Sequence, residues 1–235
     1  MIRTMRRMKY EKEQKMIDQK IWSLPKIEKG LTLDMGVGDK GFSTRKLIEL
    51  GAKVVAVDSD LNNLIKQKNL GNILIQCSAL HLPFKSSVFV LSVAFFTLHE
   101  INPRLHLNVV SEMARVSRKI MIVEPMPGQE DINRRQDNIW SKAMHSIGRF
   151  EDYQEIMYWK KLMEKCGLRI TICETFRGKN RIPPQKVDEF IKGTVTLMNS
   201  YDVSKKHIEE IKDLGKDMIN KGMRRSSIDV VIGEH

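Results

Sequence analysis

The chain has 235 residues, with 40 lysines and arginines against 29 aspartates and glutamates, for a formal net charge of +11. That length suffices for one domain with a sizeable core, since a compact fold of this size buries roughly 70 to 75% of its unfolded surface. The longest apolar run, Val88 to Leu98, is far short of the roughly 20 residues that cross a bilayer, and the charged N-terminus lacks the apolar stretch of a signal peptide, so a cytoplasmic protein without membrane insertion is expected. Cys77, Cys166 and Cys173 lack metal-ligand spacing and sit in segments that read as buried, so reduced structural thiols and no metal are expected.

In chain order, a basic helix is expected from Met5 to Trp22, inside an N-terminal cap of residues 1–25. Leu31 to Met35 reads as a buried strand, Phe42 to Leu50 as a short amphipathic helix and Lys53 to Val57 as a second strand. Further strands are expected at Ile73 to Gln76, Val88 to Ala94 and Lys119 to Val123, separated by helices at Leu61 to Gln67 and Leu105 to Val116. Alternation of this kind builds a parallel sheet with right-handed connections. Pro125 to Phe150 reads as a looser link, and Glu151 to Cys166 as an amphipathic helix ending at Gly167, with Tyr153, Tyr158 and Trp159 on it. Leu168 to Phe176 and Ile228 to Ile232 complete seven strands. Between these two lies an insertion, Arg177 to Arg225, which should begin abruptly at Pro183-Pro184 and shows helical periodicity over Val187 to Met198 and His207 to Asn220. The expected architecture is one α/β domain, 1–235, with a mostly parallel seven-stranded sheet flanked by helices; the N-terminal cap and the insertion, 177–227, are its natural lid.

The first two strands carry the chemistry. Leu33-Asp34-Met35-Gly36-Val37-Gly38-Asp39-Lys40-Gly41 places glycines where a strand turns into a helix, which lets a ligand approach the main chain and offers it unpaired N–H groups. Asp58 ends the second strand 20 residues after Gly38, placed to accept hydrogen bonds from both hydroxyls of a ribose. The glycines also satisfy the GxGxxG pattern of dinucleotide oxidoreductases. Asp34 weighs against that reading: a carboxylate two residues before the first glycine repels a pyrophosphate and welcomes a cation. S-adenosylmethionine is the nucleoside cofactor with positive charge and no phosphate.

On these residues the chain resembles the Rossmann-like (class I) S-adenosylmethionine-dependent methyltransferases, in particular the branch that includes the ubiquinone and menaquinone methyltransferases. Asp34, Gly36 and Gly38 match the family's first motif, and Asp58 the acidic end of its second strand. Cys77-Ser78-Ala79-Leu80-His81-Leu82-Pro83-Phe84 is similar to its adenine-side segment, and His99-Glu100 to the loop that faces the methyl acceptor. The resemblance implies the Rossmann-like methyltransferase fold, methyl transfer, S-adenosylmethionine as cofactor, and Asp34, Gly36, Gly38, Asp58, Ser78 and Ala79 as its binding residues. Two departures stand out. Lys40 occupies the place of a third glycine, with Gly41 one residue later, and Ser78 replaces the carboxylate that accepts from the adenine amino group.

His99 and Glu100 are the candidate catalytic pair, with His99 able to take a proton from the acceptor, although alignment of the reactants alone can lower a barrier by roughly 7 to 11 kcal/mol. Glu124, Trp140 and His145 are the candidate acceptor-binding residues, Glu124 being equally readable as a capping carboxylate. Basic residues concentrate in Arg3 to Lys20 and Arg177 to Arg225, which favours an anionic acceptor, although Glu11, Glu13, Asp188, Glu209 and Glu210 interrupt both segments. The leading expectation is methyl transfer to an anionic or aromatic small molecule. RNA or protein is the alternative acceptor, and a catalytically inactive S-adenosylmethionine-binding regulatory protein is the third reading. The sequence does not specify the oligomeric state.

Overall fold

In a computed structural model the described residues are 2–70 and 73–235, the side chains of residues 2 and 3 excepted; Met1 of the expected cap and the Arg3 side chain of the basic segment lie outside them. The strands are β1 (Leu31–Met35), β2 (Lys53–Asp58), β3 (Ile73–Gln76), β4 (Phe89–Phe95), β5 (Lys119–Pro125), β6 (Arg169–Phe176) and β7 (Ile228–Glu234). The helices are α1 (Ile2–Ser23), α2 (Phe42–Glu49), α3 (Leu61–Lys66), α4 (His106–Val116), α5 (Asp131–His145), α6 (Ile156–Lys165), α7 (Pro184–Ser200) and α8 (Lys205–Lys221). They divide into two compact units, one made of Trp22–Glu124, Glu155–Glu174 and Asp229–His235, the other of Met1–Ile21, Pro125–Gln154 and Thr175–Ile228.

The first unit is built on a seven-stranded sheet of order β3-β2-β1-β4-β5-β7-β6, the Rossmann-like methyltransferase arrangement that the resemblance implies. The pairings β1 with β2, β1 with β4, β2 with β3 and β4 with β5 are parallel. Strands covered by helices on both faces read as continuous apolar runs, and β4 and β5 are buried over almost their whole length. Leu33, Met35, Val55 and Val57 pack in one core with Val109 and Met113 of α4 and Trp159 and Met163 of α6. The chain runs outward from β1 through β2 to β3, then returns to the other side of β1 as β4. That reversal opens a crevice at the carboxyl ends of β1 and β4, where ligands of such sheets bind.

Two expectations change. The segment 151–155 is not helical: α6 begins only at Ile156, after Glu155 in an extended conformation, so Tyr153 precedes the helix while Tyr158 and the fully buried Trp159 lie on it. Cys173 is exposed and Cys77 and Cys166 are half-buried, all three free. β6 is an edge strand, and alternation along it turns Cys173 outward.

The second unit is helical. Its core joins Ile132, Ala143 and Met144 of α5, Val187, Ile191 and Met198 of α7, and Ile208, Ile211, Leu214 and Met218 of α8. The link expected to be loose, Pro125 to Phe150, therefore contains a 15-residue helix. Its apolar positions 132, 139, 140, 143 and 144 recur at helical spacing, but the polar run Asn133 to Asn138 between them hides the pattern. Pro184 is the first residue of α7, where its fixed φ suits a helix start and its missing N–H costs nothing. On α1, the Glu13 carboxylate accepts from the backbone N–H groups of Lys179 and Asn180, at 2.8 and 3.0 Å. Among the described residues no helix is long and apolar enough to cross a membrane.

Candidate active site

At the end of β1 the chain leaves the sheet through Gly36, whose φ of +77° is a conformation that side chains resist. There is no room for one either: an added Cβ would fall 2.2 Å from the Thr97 methyl carbon. The Thr97 hydroxyl lies within hydrogen-bond distance of the carbonyls of Met35 (3.1 Å), Gly36 (3.3 Å) and Phe95 (3.2 Å), tying the turn after β1 to the turn after β4. Gly36 N–H donates to the Val57 carbonyl at 2.9 Å, which fixes the turn to β2 as well.

Asp34 is completely buried beneath this turn. Its Oδ2 accepts from the Ser43 and Thr44 hydroxyls of α2 at 2.9 and 2.5 Å, while its Oδ1 has no hydrogen-bond partner among the described residues. Burial pushes the carboxyl up from the usual 3.8 to about 6; the two hydroxyls oppose that shift, and the Asp58 charge adds to it. A buried carboxylate oxygen without a donor is costly, and a cation or N–H supplied by a ligand would relieve it. Asp58, at the end of β2, accepts from Gly38 N–H (3.0 Å) and Asn63 Nδ2 (3.3 Å) on one oxygen and from Asp60 N–H (2.8 Å) on the other. The carboxylate is thus aimed by its own loop.

A cleft of about 190 Å³ opens here, lined among others by Gly36, Gly38, Asp58, Ala79, Phe96 and Glu100. Two carboxylates and no lysine, arginine or histidine are among the lining residues described. Ser78 is exposed, and its hydroxyl accepts from Leu80 N–H at 3.2 Å, which makes a local turn; the flanking Cys77 and Ala79 are the residues that line the cleft. Phe96 adopts φ +52°, rare for a non-glycine residue, and stacks on Phe95 at 4.5 Å between ring centroids. Phe95 in turn stacks on Trp22 at 5.4 Å and meets Phe42 at 5.3 Å, so one ring of the cleft wall continues into an aromatic cluster.

After β4, a short helical turn, Leu98–Glu100, carries the expected catalytic pair. Glu100 is exposed and lines the cleft, whereas His99 is only 7% exposed. His99 Nδ1 is 2.5 Å from Glu124 Oε2, and the other Glu124 oxygen accepts from the backbone N–H groups of Thr97 (2.9 Å) and Leu98 (2.7 Å). Glu124, at the end of β5 and 1% exposed, thus caps the turn that presents His99 and Glu100. Trp140 and His145 lie on α5 in the helical unit; Trp140 packs against its core, and His145 Nε2 is 2.9 Å from Asp152 Oδ2 with its ring edge-on to Phe150.

Sequence reasoning missed Ser43, Thr44, Thr97 and Gln67, which shape the loop from a distance. Ser43-Thr44 at the start of a helix after a glycine turn was the one signal available for them.

Residues 33–120 match the model of the methyltransferase domain family. Among solved structures, a candidate methyltransferase from Bacillus halodurans is similar with a TM-score of 0.68 and 15% identity, covering 92% of this chain and 97% of that one. An S-adenosylmethionine-dependent methyltransferase from Archaeoglobus fulgidus gives 0.58 and 14%, covering 95% and 94%. A phosphoethanolamine N-methyltransferase from Haemonchus contortus, in complex with phosphomonomethylethanolamine and S-adenosylhomocysteine, gives 0.59 and 13%, covering 96% of this chain and 52% of that one. No curated protein sequence matches. Identities this low speak for the fold, and the domain match speaks for the chemistry. Residues 33–120 thus carry a methyltransferase domain, on a chain with the Rossmann-like methyltransferase fold, and S-adenosylmethionine is the cofactor of its methyl transfer.

Proposed function

We propose that the protein methylates an aromatic small molecule, and that Phe96 is the residue against which that acceptor rests. The observation that carries this reading is the strained Phe96 backbone: φ +52° costs energy, and backbone strain at a cleft wall is a mark of function. Stacking on Phe95 supports a flat apolar surface beside the methyl donor. The lining carboxylates Asp58 and Glu100, with no cation among the lining residues described, favour an aromatic acceptor over an anionic one.

S-adenosylmethionine supplies a methyl group already activated by its sulfonium. In this reading Asp34 receives the positive end of the methionine moiety, the Gly36 and Gly38 backbone passes alongside it, Asp58 holds the ribose hydroxyls, and Cys77, Ser78 and Ala79 border the adenine. Glu100 orients the acceptor. His99, held by Glu124, takes the proton that an acceptor hydroxyl or amine loses. Trp140 and His145 are kept as proposed acceptor-binding residues.

A panel of phenols, hydroxyquinones and aromatic amines, scored by S-adenosylhomocysteine release, tests the proposal. Turnover with at least one, and a raised KM for it in Phe96→Ala with the S-adenosylmethionine Kd unchanged, is expected; turnover confined to non-aromatic acceptors contradicts it. The net charge of +11 supports RNA as the second reading, and RNA binding that falls steeply with salt together with methyl incorporation into RNA would favour it.

A further inference from the structure

Gln67 follows α3, 29 residues beyond Gly38, yet the glycine loop is built around it. The side chain is 2% exposed, and its Nε2 lies 3.0 Å from the Asp39 carbonyl oxygen and 3.4 Å from that of Gly38. A buried amide is tolerated where its N–H groups find acceptors, and the loop carbonyls provide them. Gly41 accommodates it: φ is +55°, and an added Cβ would fall 2.2 Å from Gln67 Oε1. Gly38 lines the cleft and Gln67 does not, so the two carbonyls are drawn toward the protein side of the loop. Their negative ends are thereby kept away from the place where a carboxylate would sit. The departure seen in the sequence, Lys40 followed by Gly41, belongs to the same arrangement, because Gly41 is where the loop makes room for the glutamine.

We infer that Gln67 is a positioning residue for S-adenosylmethionine, fixing the Gly38–Asp39 carbonyls so that the loop accepts the methionine end of the cofactor. The inference rests on the assignment of the glycine loop to that moiety in the proposed function.

Calorimetric titration of the full-length protein with S-adenosylmethionine and, separately, with adenosine tests it, using Gln67→Met, which keeps the volume and removes the donor, and Gln67→Ala. S-adenosylmethionine Kd should rise about tenfold in both variants while adenosine Kd moves less than about twofold, because only the methionine end depends on the loop. A general structural defect would weaken both ligands together, and that result overturns the inference, as does an S-adenosylmethionine Kd unchanged in Gln67→Met. Gly41→Ala supplies an independent arm. Its effect on S-adenosylmethionine Kd should be smaller in the Gln67→Ala background than in the wild type, since the backbone strain is common to both and the clash is not; equal effects contradict the inference. A wild-type protein that binds S-adenosylmethionine no more tightly than adenosine overturns the loop assignment and this role for Gln67 with it.

Discussion

Asp34→Asn should make the ligand-free protein more stable and the cofactor complex weaker, two effects of opposite sign from one oxygen-to-nitrogen exchange. Burial raises the Asp34 carboxyl from 3.8 to about 6, so the folded protein holds this proton more tightly than the unfolded chain does. The cost of ionising it is absent below the unfolded value, grows as pH rises from 3.8 and is complete above about 6. A shift of about two units corresponds to about 3 kcal/mol, as an upper figure. Asparagine keeps an acceptor for the Ser43 and Thr44 hydroxyls and carries no charge to desolvate. Urea denaturation without ligand should therefore show Asp34→Asn more stable by about 1 to 3 kcal/mol at pH 7.5, with the difference shrinking toward pH 4. Calorimetry on the same variant should show S-adenosylmethionine Kd raised about tenfold or more, since a charge-assisted partner is worth roughly 1.5 to 3 kcal/mol. A variant less stable than wild type at pH 7.5 by an amount independent of pH, with unchanged affinity, would refute the reasoning and leave Asp34 as a mere acceptor for two hydroxyls.

The same titration predicts that wild-type affinity for S-adenosylmethionine falls as pH drops below about 6, approaching tenfold per unit for one proton, a dependence that Asp34→Asn should abolish in calorimetric pH series. Asp58→Ala should raise S-adenosylmethionine Kd at least about tenfold by removing a charge-assisted acceptor, measured in a variant whose melting shows it folded. Gly36→Ala should nearly abolish cofactor binding, because the methyl meets Thr97 and φ is +77°; wild-type binding in this variant would mean that the turn is not the ligand-facing one. Glu124→Ala should destabilise the fold by about 2 to 4 kcal/mol in chemical denaturation by stranding the Thr97 and Leu98 N–H groups, whereas Glu124→Gln, which keeps an acceptor for them, should retain most of the stability. Once an acceptor is known, His99→Asn should lower kcat at unchanged S-adenosylmethionine Kd if proton transfer is its task.

Most of the sheet was legible because each strand is a short apolar run bounded by a turn. β1 and β3 match the expected limits, and β2 is longer by the single residue Asp58. The insertion's helices were legible through their periodicity, and Pro183-Pro184 marked the start of α7. α5 escaped because six polar residues, Asn133 to Asn138, separate Ile132 from the next apolar position, and α6 was drawn too long because Tyr153 looked like part of its apolar stripe. In the site, Gly36, Gly38 and Asp58, which spacing places together, line one cleft. Gln67, Thr97 and the His99–Glu124 contact could not be read from spacing, since each acts across 25 or more residues of sequence through a hydrogen bond that only the fold creates. Ser78 shows the converse: its place in the motif suggested a contact with adenine, while its hydroxyl makes the turn to Leu80.

The most direct test of the account is calorimetric titration of the purified protein with S-adenosylmethionine, S-adenosylhomocysteine and NAD in parallel. Binding of the first two, lost in Asp58→Ala, with no heat from NAD, is the predicted result; binding of NAD alone would contradict the account and make the buried, unpartnered oxygen of Asp34 the observation that had been misread.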